Sequence, residues 1–233
     1  MEQQKNKNMK KIALVASLAT IGFAFSAFIA PKASTTDGAF EGVVTYSVNT
    51  DNAQATAMVG TSMKVYLKGD KAKTTNDGGM LQQITITDKK TPNDPIMLME
   101  VMGNKYQLKN DKTKKEDTKT PDIKYLDDTK TIAGYLCHKA EITVTEQGQS
   151  ASMDIYYTEA LPAYAGSKGE FKGLKGFPLE YSLKTQGISI TFSATKVDKQ
   201  AVSDDAFAVP TGYKLMTMEE MQADLQKNSG AGN

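Results

Sequence analysis

The residue types that most often perform nucleophilic catalysis are almost absent from this chain of 233 residues. It has one cysteine and one histidine, the neighbours Cys137 and His138. A serine or cysteine nucleophile needs a base, usually histidine, so His138 is the single candidate. The surrounding residues alternate as in a β-strand, where neighbouring side chains point to opposite faces. We therefore expect a buried cysteine, a histidine on the wet face, and no catalytic pair.

Metal ligation has equally weak support in the sequence. One cysteine and one histidine fall short of the four ligands of a structural zinc site. Methionine sulfur can bind Cu(I), and two segments carry closely spaced methionines, Met97-x-Met99-x-x-Met102 and Met216-x-Met218-x-x-Met221. Met97 and Met102 would face opposite sides of a strand, whereas Met218 and Met221 fit one packing face. Core packing or a soft lipid-binding lining is favoured over copper, and we expect no metal and no cofactor.

Paired carboxylates are the remaining route to an enzyme. The pairs are sequence neighbours that we place in loops or at a helix start: Asp127-Asp128, Asp204-Asp205 and Glu219-Glu220. None has a partner at a spacing that indicates acid–base chemistry. A hydrolase that uses carboxylates distant in sequence is the less favoured alternative, and the prediction is that the protein is not an enzyme.

The basic residues are all lysines, because the chain contains no arginine. It therefore lacks the bidentate grip on phosphate or carboxylate that arginine provides. Removing residues 1 to 34 takes five lysines and one glutamate from totals of 28 and 27, which leaves 23 lysines against 26 acidic residues. A nearly neutral, slightly acidic chain does not favour nucleic acid as a partner.

The first 34 residues have the pattern of a secretory signal. Lys5, Lys7, Lys10 and Lys11 precede an uncharged run from residue 12 to residue 30, and small residues with a proline follow. The run is nearly long enough to span a bilayer, so an uncleaved N-terminal anchor stays open as the alternative. It would provide the only membrane contact. The rest of the chain, residues 35–227, fits one domain.

Period-two alternation of apolar and polar residues dominates that domain, as in antiparallel strands with one wet face. Turn residues such as Lys68-Gly-Asp70 and Thr185-Gln-Gly187 separate the alternating segments. One segment, residues 95–102, is almost continuously apolar, as expected for a strand covered on both faces. The sequence predicts a mainly β fold with about nine to eleven strands, either a strongly curved antiparallel sheet or a half-open barrel. The alternating segments are 44–48, 63–67, 84–86, 140–144, 153–157, 179–183 and 188–194.

One later helix is predicted near the C-terminus. Thr217-Met-Glu-Glu220 has the form of a capping box, and Met218, Met221 and Leu225 then share one face. This short helix should dock on the sheet or on its open end. The tail, residues 228–233, is predicted to be disordered, and the highly charged residues 108–120 are predicted to form an exposed loop.

Several motifs together resemble a known family. They are Phe40-x-Gly42-Val-Val-x-Tyr46, Tyr66-Leu-Lys-Gly-Asp-Lys71, Ile132-Ala-Gly-Tyr-Leu-Cys-His-Lys-Ala140, Ile155-Tyr-Tyr-Thr158, the turn-like stretch Gly173–Tyr181, and Val209-Pro-x-Gly-Tyr213. In order and spacing, over about residues 38–222, they resemble the DUF4412 family of domains of unknown function. They are also similar to the related GLPGLI family of Bacteroidetes envelope proteins. The resemblance implies a protein exported to the periplasm or outer envelope of a Gram-negative bacterium. It also implies a fold similar to the LolA-like half-barrels of lipoprotein carriers, and it brings no catalytic residues.

These observations favour a non-enzymatic envelope protein that binds a lipid, an acyl chain or an apolar peptide on an apolar concave face. Residues 96–102 and 218–226 are candidates for its floor and its lid. Phe177 is considered at the rim of a binding mouth, although Gly173–Tyr181 is mainly expected to be a turn and strand entrance. The candidate ligand-binding residues are Met97, Met99, Phe177, Tyr181, Met218 and Met221. The alternative is an assembly role, in which a strand edge or the 108–120 loop docks on another envelope protein.

Overall fold

The computed structural model of the protein describes residues 40–77, 79–91, 94–110, 120–146, 149–163, 171–185 and 187–230. The expected signal or anchor, residues 1–34, lies outside the described residues. So do residues 111–119 of the charged loop and the end of the tail, residues 231–233.

The described residues form twelve strands in a single sheet. Their bounds are β1 Glu41–Asn49, β2 Ser62–Lys68, β3 Lys71–Asp77, β4 Leu81–Asp88, β5 Ile96–Val101, β6 Asn104–Leu108, β7 Asp122–Ile132, β8 Tyr135–Glu146, β9 Gln149–Thr158, β10 Phe177–Thr185, β11 Ile188–Lys199 and β12 Lys214–Met216. The order across the sheet is β12-β6-β5-β4-β3-β2-β1-β11-β10-β9-β8-β7. The sheet is open, because β12 and β7 are at opposite edges. The predicted mainly β fold with a curved, open sheet is confirmed.

Neighbouring strands are antiparallel, except that β12 runs parallel to β6. Hairpin connections account for most neighbours, and β1 pairs with β11 to join the two halves of the sheet. Four of the twelve strands, β3, β6, β7 and β12, were not predicted. β3 contains almost no large apolar side chains, and β7 carries Asp127 and Asp128 at a bulge between Leu126 and Thr129. The placement of that acidic pair in a loop was therefore wrong.

Two helices accompany the sheet. Helix α1, Ala53–Val59, was not predicted; the side chain of Asn52 caps it by accepting a hydrogen bond from the backbone N–H of Ala55. Helix α2, Met218–Gly230, is the predicted C-terminal helix. It continues through Gly230, so the expectation that disorder begins at residue 228 was wrong for the first three residues of the tail.

The main core lies on the face of the sheet that we call the inner face, which carries Val44, Val65 and Phe192. The inner face can be followed from β1 to β5, because directly paired residues of neighbouring strands lie on the same face. Val44 of β1 pairs with Val65 of β2, Val65 with Thr74 of β3, and Thr74 with Thr85 of β4. Its largest fully buried aromatic side chains include Tyr46 and Phe192. The phenol of Tyr46 donates a 2.7 Å hydrogen bond to the carbonyl oxygen of Pro178.

A smaller apolar cluster covers the opposite, outer face. Val43 and Ile86 pack there against Val202 and Phe207, which belong to the segment after β11. β5 is covered on both faces, as its continuous apolar sequence predicts. Leu98 is fully buried on the outer side, and Met99 is buried on the inner side.

The stretch Gly173–Tyr181 forms a turn and the entrance to β10, as predicted. Gly173 has a φ of 90°, a conformation that favours glycine. A Cβ at Gly176 would overlap the carbonyl oxygen of Thr158, so that position requires glycine for a close backbone approach. Pro178 is the second residue of a central strand beside a bulge; a bulge is one of the few places where a sheet interior accepts proline.

The β7 end of the sheet curves strongly. The ammonium of Lys130 on β7 lies 2.8 Å from a carboxylate oxygen of Glu180 on β10, although β8 and β9 lie between these strands. In a flat sheet, strands three spacings apart are about 14 Å from each other. The ion pair therefore requires the bulged β7 to bend toward β10.

Candidate ligand-binding site

A methionine-rich apolar cluster lies on the inner face, between β4–β6 and helix α2. We call it the methionine cluster. Its buried members come from three strands and the helix, with further methionines at its margin that are partly buried. The buried members are Leu81, Met99, Val101, Tyr106, Leu108, Met221 and Leu225, and the partly buried ones are Met97, Met216 and Met218.

The structure brings four of the predicted site residues together in this cluster. Met97 and Met99 come from β5, and Met218 and Met221 come from α2. Met99 and Met221 are almost fully buried, whereas Met97 and Met218 are half-buried. The candidate floor strand β5 and the candidate covering helix α2 therefore contribute to one apolar cluster.

One hydrogen bond joins α2 to the sheet beneath it, and a capping box orders the start of the helix. The phenol of Tyr106 donates a 2.7 Å hydrogen bond to the carboxylate of Asp224. At the helix start, Thr217 accepts from the backbone N–H of Glu220, while the Glu220 carboxylate accepts from the backbone N–H of Thr217. This is the predicted capping box. That backbone hydrogen bond, helped by Lys109, lowers the pKa of the Glu220 carboxyl.

Phe177 and Tyr181 lie in the main core, apart from the methionine cluster. Phe177 was expected at the rim of a binding mouth, and the structure buries it fully in the main core. β10 is a central strand, and the alternation that places Tyr181 inward buries Phe177 as well. The ring of Tyr181 stacks on Phe192, with 4.8 Å between ring centroids, and meets Phe171 edge-on at 4.9 Å.

Between the main core and the methionine cluster runs a band of uncharged polar side chains, which the sequence analysis missed. We call it the polar strip. All five of its residues lie on the inner faces of β3 and β4, and all are buried: Thr74, Asn76, Gln83, Thr85 and Thr87. Two polar atoms of the strip, Gln83 Oε1 and Thr85 Oγ1, have no hydrogen-bond partner among the described residues. The alternation of β4 contained the signal, because Gln83, Thr85 and Thr87 share a face with Leu81.

The inner face of β2–β6 carries no charged side chain among the described residues. Its positions are occupied by apolar residues, by the polar strip and by Asn104 at the start of β6, while lysines and acids of the same strands alternate to the outer face. Lys64, Lys68, Lys73, Glu100 and Lys105 are examples. The face can therefore contact an apolar chain without desolvating a charge.

The catalytic candidates are not arranged for catalysis. Cys137 is a free, buried cysteine, as predicted, and burial raises the pKa of its thiol to about 11. Such a thiol holds little of the nucleophilic thiolate at neutral pH. His138 is half-buried, and its ring centroid lies 6.1 Å from that of Tyr157. Burial also raises the pKa of Tyr157, to about 12.

The acidic residues are dispersed. Among the described residues, no three His, Cys, Asp or Glu side chains lie close enough together to hold a metal ion. Asp128 accepts a hydrogen bond from the phenol of Tyr156, and Glu180 pairs with Lys130. These carboxylates take part in surface pairing. In the described part of the chain, no helix has the length and apolar character needed to cross a bilayer.

An open depression of about 430 Å³ lies at the β5–β6–β12 edge and adjoins the methionine cluster at Leu108. Ile96 and Gln107 line it from the outer face, and Leu215 contributes a side chain that is 56% exposed. Most of its lining belongs to the outer side of the sheet or to the loops at this edge, and Leu108 belongs to the inner face.

Comparison with solved structures finds distant similarity. This chain is similar to PNGF-II in its P21 crystal form, with 17% identity, a TM-score of 0.46, and coverage of 79% of this chain and 34% of that one. The C2 crystal form of PNGF-II gives 17% identity, a TM-score of 0.49, and coverage of 82% of this chain and 33% of that one. LprF from Mycobacterium bovis gives 10% identity, a TM-score of 0.33, and coverage of 89% of this chain and 98% of that one. The chain thus spans about a third of the length of PNGF-II.

Comparison with sequences gives a clearer result. No curated protein matches the chain. The model of a domain of unknown function, DUF4412, matches residues 40–213, which include all of the sheet except its last strand. The chain belongs to the DUF4412 family.

Proposed function

We propose that this protein is an exported, non-enzymatic binding protein of the cell envelope that holds an apolar chain on the inner face of its sheet. The binding surface is the methionine cluster, and helix α2 is its cover. One observation carries the proposal: a single helix covers a methionine-rich, uncharged patch near one edge of the open sheet. The N-terminal secretory pattern supports export.

Helix α2, which covers the cluster, buries few side chains for its length. Of residues 218–227, only Met221 and Leu225 are buried. Segments with few buried apolar contacts open at low free-energy cost. When α2 lifts, Met99, Val101 and Tyr106 lose their cover and expose a continuous apolar surface.

Methionine suits such a surface. Its unbranched, flexible side chain adapts to irregular apolar partners, and both sides of this interface supply it. Met97 and Met218 are half-buried at the margin, where an entering chain would first make contact. A lipid, an acyl chain or an apolar peptide fits this chemistry.

The test uses residues 35–233 purified from an exporting host. Native mass spectrometry looks for co-purifying apolar molecules, and N-phenylnaphthylamine, a neutral fluorophore, reports binding in titrations. Met97→Lys and Met218→Lys place a charge at the margin of the cluster, and each is expected to weaken fluorophore binding by about tenfold or more.

Met80→Lys is the matched control, because Met80 is exposed and lies outside the cluster. It is expected to bind the fluorophore as the wild type does. An empty protein that does not bind the fluorophore, or equal binding by all three variants and the wild type, would overturn the proposal.

An assembly role is the second candidate, and the edge strand β7 favours it. This strand has eleven residues, most of them exposed, and among the described strands it pairs only with β8. Exposed edges can accept a strand from another protein. Cross-linking in cells tests this role: one dominant protein partner, found with a protein that binds no apolar molecule, would favour assembly over ligand binding.

A further inference from the structure

The polar strip contains two kinds of polar group, those that are paired and those that are not. Asn76 is fully engaged: its side-chain amide donates to the carbonyl oxygens of Val59 and Leu81, at 3.2 and 2.7 Å, and its oxygen accepts from the backbone N–H of Gln83. The hydroxyl of Thr87 donates to the carbonyl oxygen of Ala72 at 3.5 Å. These contacts tie α1, β3 and β4 together, so this part of the strip is structural.

Gln83 Oε1 and Thr85 Oγ1 form the other part. Neither has a hydrogen-bond partner among the described residues, although the two residues are only 6% and 4% exposed. Buried polar atoms are nearly always paired in folded proteins, and an unpaired one is costly. Two such atoms on alternate residues of one strand form a local polar site without a partner, in which the Gln83 oxygen accepts and the Thr85 hydroxyl can accept or donate.

The neighbours of these two atoms connect the site to the methionine cluster. Gln83 lies opposite Met99 across the β4–β5 pair, and Thr85 lies opposite Met97. Directly opposed residues on one face have Cβ atoms about 5 Å apart. A molecule with its apolar part on these methionines would therefore bring a terminal polar group within reach of both oxygens.

The chemistry of the site selects the polar group. A glutamine Oε1 only accepts hydrogen bonds, so its partner must carry an O–H or N–H. The inner face of β2–β6 has no charged side chain among the described residues, so a charged group would be buried without a counter-ion there, which is costly. The fitting partner is a neutral hydroxyl or amide.

We propose that Gln83 and Thr85 are the head-group site for an amphipathic ligand with a neutral, hydrogen-bond-donating head and an apolar tail on Met97 and Met99. This inference depends on the proposed function, because it assigns the polar end of the same ligand. It distinguishes neutral lipids that carry a hydroxyl or amide from fatty acids and from esters without a donor.

The experiment displaces N-phenylnaphthylamine with four ligands of equal chain length: dodecanol, dodecanamide, methyl dodecanoate and dodecanoate. We expect dodecanol and dodecanamide to bind roughly five- to tenfold more tightly than methyl dodecanoate, the gain of about one hydrogen bond. Dodecanoate should bind least well. The same series is repeated with the Gln83→Leu and Thr85→Val variants, which remove the acceptors and keep the apolar surface.

In these variants the preference for the alcohol and amide over the ester should fall to about twofold or less, because the ester has no donor for Gln83 and loses less affinity than the alcohol and amide do. Thr87→Val, with its paired hydroxyl on the same face, is the control that should keep the preference. Equal affinity of the wild type for alcohol, amide and ester, or tighter binding of dodecanoate, would overturn the head-group site and leave the proposed function intact. Failure of the fluorophore to bind at all would overturn both.

Discussion

The unpaired hydroxyl of Thr85 gives a stability prediction that requires no ligand. Its side chain is 4% exposed, and Thr85→Val replaces the hydroxyl by a methyl group of the same shape. Burial of an unpaired hydroxyl costs about 1–3 kcal/mol, and valine is also favoured in strands. We expect the variant to raise the free energy of unfolding by about 1–2 kcal/mol, which corresponds to about 2–8 °C in Tm at this chain length.

Urea unfolding followed by circular dichroism and tyrosine fluorescence measures this change, since the chain has no tryptophan. Thr87→Val is the matched control, because Thr87 has the same exposure on the same strand and face, but its hydroxyl is paired. The Thr85 variant should be more stable than the Thr87 variant by at least about 1 kcal/mol. If it is equally stable or less stable, the Thr85 hydroxyl has a partner in the ligand-free protein and the reasoning about the polar strip is refuted.

Three further predictions concern the core and the cover. Cys137 should label slowly with thiol reagents in the folded protein. The pKa of its thiol rises from 9.0 to about 11 on folding. The contribution of the protonated thiol to the free energy of unfolding is therefore intact below pH 9 and is lost as the pH rises through 11. Urea unfolding of Cys137→Ala should show less of this alkaline loss. Gly176→Ala should lower the free energy of unfolding by about 3 kcal/mol, because its Cβ would overlap the Thr158 carbonyl; an unchanged urea midpoint would contradict that geometry. Tyr106→Phe removes the hydrogen bond to Asp224 and should speed amide hydrogen exchange in α2 roughly fivefold without affecting β1; equal exchange would show that this bond does not hold the cover.

Local patterns were sufficient to predict much of the sheet. Segments such as 63–67 and 188–194 alternate cleanly because one face is buried and the other is wet. The capping box at Thr217 and Glu220 forms as predicted because both partners lie within one helical turn. The continuous apolar run of β5 correctly indicated a strand that is covered on both faces.

The failures have a common physical origin. β3 and β7 are strands because their neighbours pair with them, and their own side chains are mostly polar. Phe177 was placed at a rim because its turn was visible in the sequence and the central position of β10 was not. The polar strip depends on which strands lie side by side, and strand order is not encoded in local alternation.

The path of the segment after β11 determines when the methionine cluster is covered during synthesis. It crosses the outer face, where Val202 and Phe207 pack, and then returns to the far edge of the sheet as β12, beside β6. Only then does α2 begin, on the other side of the sheet. During synthesis, α2 therefore emerges after the strands that it covers, since β5 and β6 are finished more than a hundred residues earlier. The methionine cluster stays uncovered while those intervening residues are added.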